Sequence, residues 1–178
     1  MARNIEVKAR IASVEALLPR AQAVADGTPE RIAQDDTFFP VAMGRLKLRQ
    51  FEDGSAELIH YHRADTVDAK ASDYVRVPVP DPAALREALA RGLGLLGRVR
   101  KQRLLLLAGP TRIHLDRVEG LGDFMELEVV LADGQSDAEG QRIADALMRE
   151  LGLADAQRVA GAYMDLLIAG GTASARKS

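Results

Sequence analysis

Polar and apolar residues alternate without a break from Asn4 to Ile11. Asn4, Glu6, Lys8 and Arg10 fall on one side; Ile5, Val7, Ala9 and Ile11 fall on the other. A period of two is the signature of a strand with two unlike faces. Similar strand-like stretches return over 34–40, 44–51, 56–64, 73–79, 97–107, 111–118 and 123–132, which predicts seven or eight strands. Asp53-Gly54 reads as a tight hairpin turn between two of them, and Gly109-Pro110 punctuates another pair. Four segments break the alternation and read as helices. The first, 13–26, has Ser13 as its N-cap, and Pro19 is expected to kink or restart it. Asp81-Pro82 opens the second, which ends near Gly92 and Gly94. Ser136 and Glu139 form a capping box for the third, which runs to about Leu151 with Gly152 after it. The fourth is predicted over 155–168. Short turns between strands favour an antiparallel sheet, so the class is α+β. No linker or repeat divides the chain: one domain is expected over 1–170, with a flexible tail over 171–178.

The charges on the strands are distributed unevenly. Arg45, Lys47 and Arg49 share a face, with Leu46 and Leu48 opposite. Ile59, Tyr61 and Arg63 share another, as do Val99, Lys101 and Arg103. Arg112, His114 and Asp116 oppose Ile113 and Leu115; Phe124, Glu126 and Glu128 oppose Met125, Leu127 and Val129. A sheet with one wet face is the plain explanation of each strand taken singly. Two features argue against it. Solvated faces mix both signs to avoid self-repulsion, whereas here several strands are nearly all cationic and another carries Glu-x-Glu. The helices also need apolar strand faces to cover. The charged faces are then expected inside a rolled sheet. Buried charge is costly unless it is paired or met by a charged ligand. Lys8, Lys47, Arg49, Arg63, Lys101, Arg103 and Arg112 outnumber Glu6, Asp116, Glu126 and Glu128. A polyanion with a hard metal would balance that excess, since Arg and Lys suit phosphate oxygens and clustered carboxylates suit Mg²⁺ or Mn²⁺.

Composition narrows the classes further. Of 178 residues, 47% are hydrophobic, enough to bury a sizeable core. With 24 Lys+Arg against 26 Asp+Glu, bulk charge gives no basic coat for nucleic acid. The absence of Cys excludes a disulfide scaffold and a thiolate zinc site. No apolar run approaches the ~20 residues of a membrane span, and no signal-peptide core opens the chain. A cytoplasmic protein is the expected default.

These residues resemble the CYTH family, the triphosphate tunnel metalloenzymes. That family includes class IV adenylate cyclases, thiamine triphosphatases and inorganic triphosphatases. Asn4, Glu6 and Lys8 stand where its opening strand carries Glu-x-Glu-x-Lys. Gly44–Arg49 and Val99–Arg103 resemble its basic strands. Thr111–Asp116 followed by Gly122–Glu128 resembles its Arg…Asp and Glu-x-Glu strands. Ala162–Leu167 resembles the C-terminal helix of the cyclase-like branch. The resemblance implies a closed antiparallel barrel, or tunnel, of about eight strands with helices packed outside. It implies that Lys8, Lys47, Arg49, Arg63, Lys101, Arg103 and Arg112 bind a triphosphate. Glu6, Asp116, Glu126 and Glu128 would hold Mg²⁺ or Mn²⁺, and Lys8, Arg63 and His114 would be catalytic. The departure is Asn4, an amide where the family has a carboxylate.

The expected function is metal-dependent hydrolysis of a triphosphate such as tripolyphosphate, ATP or thiamine triphosphate. Cyclisation of ATP to cyclic AMP and pyrophosphate would use the same site, and a non-catalytic polyphosphate-binding module would keep the basic strands alone. A homodimer stays open. His60 and His62 are expected at the surface or under a helix. Tyr163 is expected to pack on the barrel wall, with capping of the tunnel mouth as the alternative. Leu104–Leu107 reads as a strand end buried on both faces. The run Gly92–Gly97 lacks the Lys-Ser/Thr of a P-loop and reads as a helix end.

Overall fold

The structure, a computed structural model, describes residues 3–63, 70–153 and 155–170. The expected tail over 171–178 lies outside them. Eight strands are present among the described residues: β1 (Arg3–Arg10), β2 (Glu30–Phe39), β3 (Arg45–Phe51), β4 (Ala56–Arg63), β5 (Lys70–Pro78), β6 (Gly97–Ala108), β7 (Thr111–Val118) and β8 (Gly122–Val130). Four α-helices accompany them: α1 (Val14–Val24), α2 (Pro82–Leu93), α3 (Asp137–Glu150) and α4 (Tyr163–Ala169). The class is α+β, and every strand pair is antiparallel. None of the described helices is long and apolar enough to cross a membrane.

Hydrogen bonding orders the strands β1-β5-β4-β3-β2-β6-β7-β8, with β8 returning to β1. The wall is nonetheless less complete than the fully closed tunnel expected. The β1–β5 seam holds four pairs, from Arg3↔Asp73 to Glu6↔Lys70, where β1–β8 holds seven. The sheet is a curled half-barrel rather than a fully closed tunnel, and among the described residues the β1–β5 ladder is its shortest. Farther along β1 a different segment takes over. Arg158 bridges to Ala9, and the Val159 N–H donates to the Lys8 carbonyl at 3.0 Å.

That edge explains where the fourth predicted helix departs from expectation. Residues 155–157 form one 3₁₀ turn, the chain then runs extended along β1, and α4 starts only at Tyr163. Gly161, at φ +80°, makes the break. An unpaired strand edge offers backbone bonds that a longer helix would forgo. The other helices start as read: Ser13 accepts from the Ala16 N–H, Asp81 from Ala84 and Ser136 from Glu139. Pro19 does not break α1. It lies on the exposed face, where the carbonyl it leaves unbonded can reach water.

The apolar strand faces point outward, under the helices. Ile5, Val7, Ile113, Leu115, Met125 and Leu127 pack with Leu17 of α1 and Leu147 and Met148 of α3. Burial of each such side chain contributes about 1.5–3 kcal/mol. Phe39 and Leu48 pack under Leu85 and Leu89 of α2. Tyr163, Met164 and Leu167 of α4 pack against Phe38, Val99, Val118 and Phe124, across one end of the sheet's inner face. The expectation for Leu104–Leu107 holds fully only for Leu106: Leu104 and Leu105 are half-buried, and Leu107, paired with Arg112, is 48% exposed. His60 and His62 are exposed, as expected.

Gly140 brings α3 close against β1. A Cβ there would stand 2.6 Å from both Ile5 Cγ1 and Leu131 Cδ2. Gly140→Ala should therefore lower the melting temperature. The ~1 kcal/mol that alanine adds to helix propensity is outweighed by overpacking of about 1–3 kcal/mol against the buried Ile5. Thermal unfolding checks this, and a raised melting temperature would show that α3 can shift.

Candidate active site

The inner faces enclose a cavity of about 370 Å³, at the small end of the ~300–1,000 Å³ usual for ligand sites. Strand alternation puts the charges there. Lys8 of β1, Lys47 and Arg49 of β3, Lys101 and Arg103 of β6 and Arg112 of β7 all line it. So do Glu6, Glu126, Glu128 and His114. Asp116 does not line it, and the Arg63 side chain lies outside what is described. Three of the acids, Glu6, Glu126 and Glu128, gather on β1 and β8, where Lys8 and, from β7, Arg112 stand opposite Glu126 and Glu128. Glu6 itself pairs with Glu128 across the β1–β8 ladder. The cations of β3 and β6 stand on the two strands that flank β2.

Each buried cation has a fixed partner. Arg103 donates to both oxygens of Asp116 at 2.6 Å and to Glu126 Oε2 at 3.2 Å. The Tyr163 hydroxyl donates to Asp116 Oδ2 at 2.8 Å. Burial would raise the Asp116 carboxyl, but Arg103 and Lys101 override it and hold it below the ordinary range. Asp116, expected among the metal ligands, gives its two oxygens to Arg103 and Tyr163. Arg49 grips both oxygens of Asp36 at 2.7 Å, and Lys47 Nζ stands 3.0 Å from Asp36 Oδ2. These two cations outweigh burial and hold Asp36 well below its usual value.

Asp36 is the functional residue that the pattern did not mark. β2 carries an acid on each face, Asp35 and Asp36, and no run of cations tells which face is inner. Tyr163 packs on the barrel wall as expected, against Phe38, Val99 and Phe124, and it also lines the cavity. Lys8 Nζ lies 4.2 Å from its ring centroid and donates to the Gly161 carbonyl at 3.0 Å, while Lys101 Nζ lies 5.1 Å from the same ring. Gly161 and Tyr163, at the start of α4, thus contact two of the cavity's lysines.

Four further groups that line the cavity have shifted titrations. Burial and then Arg103 depress Lys101 to about 7. Burial and then Arg49 depress Lys47 to about 8. Burial, with Glu126 and Glu6 adding repulsion, raises Glu128. His114 is pushed well below its ordinary value by burial and by Arg103, so it is neutral. Its Nδ1 has no hydrogen-bond partner among the described residues, with Glu128 Oε1 3.9 Å away.

The donor set fits a hard divalent cation. Glu6, Glu126 and Glu128 supply only oxygens, and they repel one another when no cation is between them. Asn4 Oδ1, buried and without a hydrogen-bond partner among the described residues, adds a fourth oxygen on the same strand as Glu6. Among the described residues no three acidic or histidine side chains already stand at coordination spacing. Arg103 and Arg112 meanwhile occupy Glu126 and Glu128.

The sequence profile of the CYTH domain matches residues 2–163, and the alternation, the barrel order and this cavity agree with it. The chain belongs to the CYTH domain family. CYTH enzymes act on triphosphates and depend on divalent metal. No curated protein matches the sequence. Solved structures share the fold. The PH1012 protein from Pyrococcus horikoshii OT3 is 25% identical with a TM-score of 0.83, over 92% of this chain and 98% of that one. HpAC1 from Hippeastrum, an adenylyl cyclase candidate described as having a dominant triphosphatase activity, is 16% identical with a TM-score of 0.68, over 98% of each chain. The RNA triphosphatase Pct1 of Schizosaccharomyces pombe is 14% identical with a TM-score of 0.56, over 90% of this chain and 87% of that one.

Lysines poised near neutrality make anion binding depend on pH. Lys101 and Lys47 lose their protons as pH rises through about 7 and 8, and a polyanion favours the charged forms. Tripolyphosphate binding without metal should weaken from pH 7 to pH 9 and take up protons at pH 8. Calorimetry in buffers of different ionisation enthalpy reads both, and a binding enthalpy independent of buffer would contradict the shifted lysines.

Proposed function

We propose that this protein hydrolyses the terminal phosphate of a triphosphate. The observation that carries the reading is the division of one small buried cavity into a cationic arc and a carboxylate arc. Lys47, Arg49, Lys101 and Arg103 orient the phosphate chain and spread its charge, which is most of what catalysis of phosphoryl transfer requires. Glu6, Glu126 and Glu128 would hold Mg²⁺ or Mn²⁺, with the Asn4 oxygen beside them. When bound, such an ion polarises phosphoryl oxygens and lowers the pKa of water. Water attacks the terminal phosphorus, the bond to the bridging oxygen breaks, and the cationic arc meets the charge that builds there. Lys8, tethered to Gly161, stands directly opposite Glu126 in register. Neutral His114 contributes a hydrogen bond rather than a charge. Arg63 is proposed as a further phosphate contact from its strand alone, and Asp116 as a positioning residue for Arg103. The dominant triphosphatase activity described for HpAC1 supports hydrolysis.

Cyclisation of ATP is the second reading. It draws support from an apolar layer in the same cavity, formed by Ile32, Phe51 and Leu105. A module that only binds polyphosphate would need no acids there.

Incubation with tripolyphosphate, ATP and thiamine triphosphate, with Mg²⁺ or Mn²⁺, should release orthophosphate. Cyclic AMP with pyrophosphate would instead favour the cyclase, and no product from any of the three would favour the binding module. Glu126→Gln and Glu128→Gln should each lower turnover by about a hundredfold or more, as the loss of several kcal/mol of charge stabilisation implies. Full activity in both variants would make these carboxylates structural. Asn4→Glu should tighten Mg²⁺ binding and destabilise the metal-free protein by adding repulsion beside Glu6. Calorimetric titration of the ion reads the first effect, and equal affinities would put Asn4 outside the coordination shell.

A further inference from the structure

Two lysines of the cavity meet one aromatic ring. Lys8 Nζ stands 4.2 Å and Lys101 Nζ 5.1 Å from the ring centroid of Tyr163. No ladder joins these lysines, since β7 and β8 lie between β6 and β1 in the sheet. Tyr163 reaches both from α4. Like charges brought this close repel each other, and each lysine has a flexible four-carbon stem that is costly to order. The face of an aromatic ring carries partial negative charge and offsets both costs without adding an anion. The ring itself is fixed. Its hydroxyl donates to Asp116 Oδ2 at 2.8 Å, and the Phe124 ring meets it at 62° with centroids 5.1 Å apart. Met164 and Leu167 root α4 beside it. Tyr163 is buried, so water competes little for its face.

We propose that Tyr163 is a positioning residue for the triphosphate, its ring holding the Lys8 and Lys101 ammonium groups where the phosphate chain binds. The inference rests on the triphosphate reading and adds to it a part played by α4. Ring and hydroxyl have separate tasks. The hydroxyl binds Asp116, the partner of Arg103, whereas the ring faces the two lysines. An ammonium carries three N–H donors, so one that rests on a ring still presents donors to an anion. A carboxylate in place of the ring would hold the lysines as well, but it would repel the phosphates that they must bind. An aliphatic side chain would fill the space and leave the lysines to separate under their own repulsion. An aromatic residue meets both demands: it fixes the cations and leaves their charge for the substrate.

The test drains the ring's charge and nearly keeps its shape. Tripolyphosphate is titrated calorimetrically, without metal so that no turnover intervenes. The proteins are the wild type, Tyr163→Phe, and a series with mono-, di- or trifluorophenylalanine at position 163. Every variant lacks the hydroxyl, so a loss common to all of them reports the bond to Asp116. Each fluorine weakens the negative face. Affinity is expected to fall stepwise, about tenfold in all from phenylalanine to trifluorophenylalanine, as two cation–π contacts imply. With Lys101→Met one cation is missing, and the same series should fall only about threefold. Fluorotyrosines, which keep the hydroxyl, supply the series should Tyr163→Phe fail to fold. A flat series, or one equally steep with Lys101→Met, would overturn the positioning role and leave Tyr163 a packing residue. A wild type that does not bind tripolyphosphate would overturn the triphosphate reading and this inference with it. A stepwise series in a protein that hydrolyses nothing would uphold the positioning role and contradict the hydrolase reading alone.

Discussion

Arg103 and Asp116 meet inside this barrel with almost no solvent around either. Two parallel N–H···O bonds at 2.6 Å lock them together, and the Tyr163 hydroxyl occupies one of the same carboxylate oxygens. Ions withdrawn from water cost several kcal/mol each unless a partner offsets the loss. Removing one member of such a pair costs about 3–5 kcal/mol, because the other charge is left alone. The pair therefore determines much of what surrounds it. It keeps Arg103 ionised and aimed into the cavity. Through Tyr163 it also docks α4 and the extended segment before it, and that segment covers the part of β1 that β5 does not reach.

A second clamp repeats the logic across the cavity, where Asp36 holds Lys47 and Arg49. Between the clamps, Lys101 stands near two guanidiniums and is held to Asp116 only at 3.8 Å. Burial first, and then Arg103 and Arg49, make its proton easy to lose. The same field keeps His114 neutral. On β1 and β8 the imbalance has the opposite sign, with Glu6, Glu126 and Glu128 crowding together. Each arc is strained by its own charge, and a polyanion bridged by a hard cation relieves both. Site and fold are thus one electrostatic problem, solved by pairing where the protein needs rigidity and left open where it needs a ligand.

The strands and their inner faces were legible because alternation is a strong signal and a barrel turns it directly into inside and outside. Most of the cavity's charged lining followed from the same rule. Three things escaped it. Asp36 was hidden because β2 carries acids on both faces. Asp116 lies on the inner face, yet register and side-chain length put it behind Arg103, and no spacing rule distinguishes a ligand from an anchor. The split of the last helix depended on the free edge of β1, a tertiary demand that Gly161 only permits.

The central claim is that the cavity is built for a triphosphate lying between the cationic and the acidic arc. A crystal structure with a non-hydrolysable triphosphate and Mg²⁺ tests it most directly. The phosphates should contact Lys47, Arg49, Lys101 and Arg103, with the ion bound by Glu6, Glu126 or Glu128 and the Arg103–Asp116 pair unchanged. Phosphates bound outside the cavity, or an Arg103 that leaves Asp116 to reach them, would contradict the account.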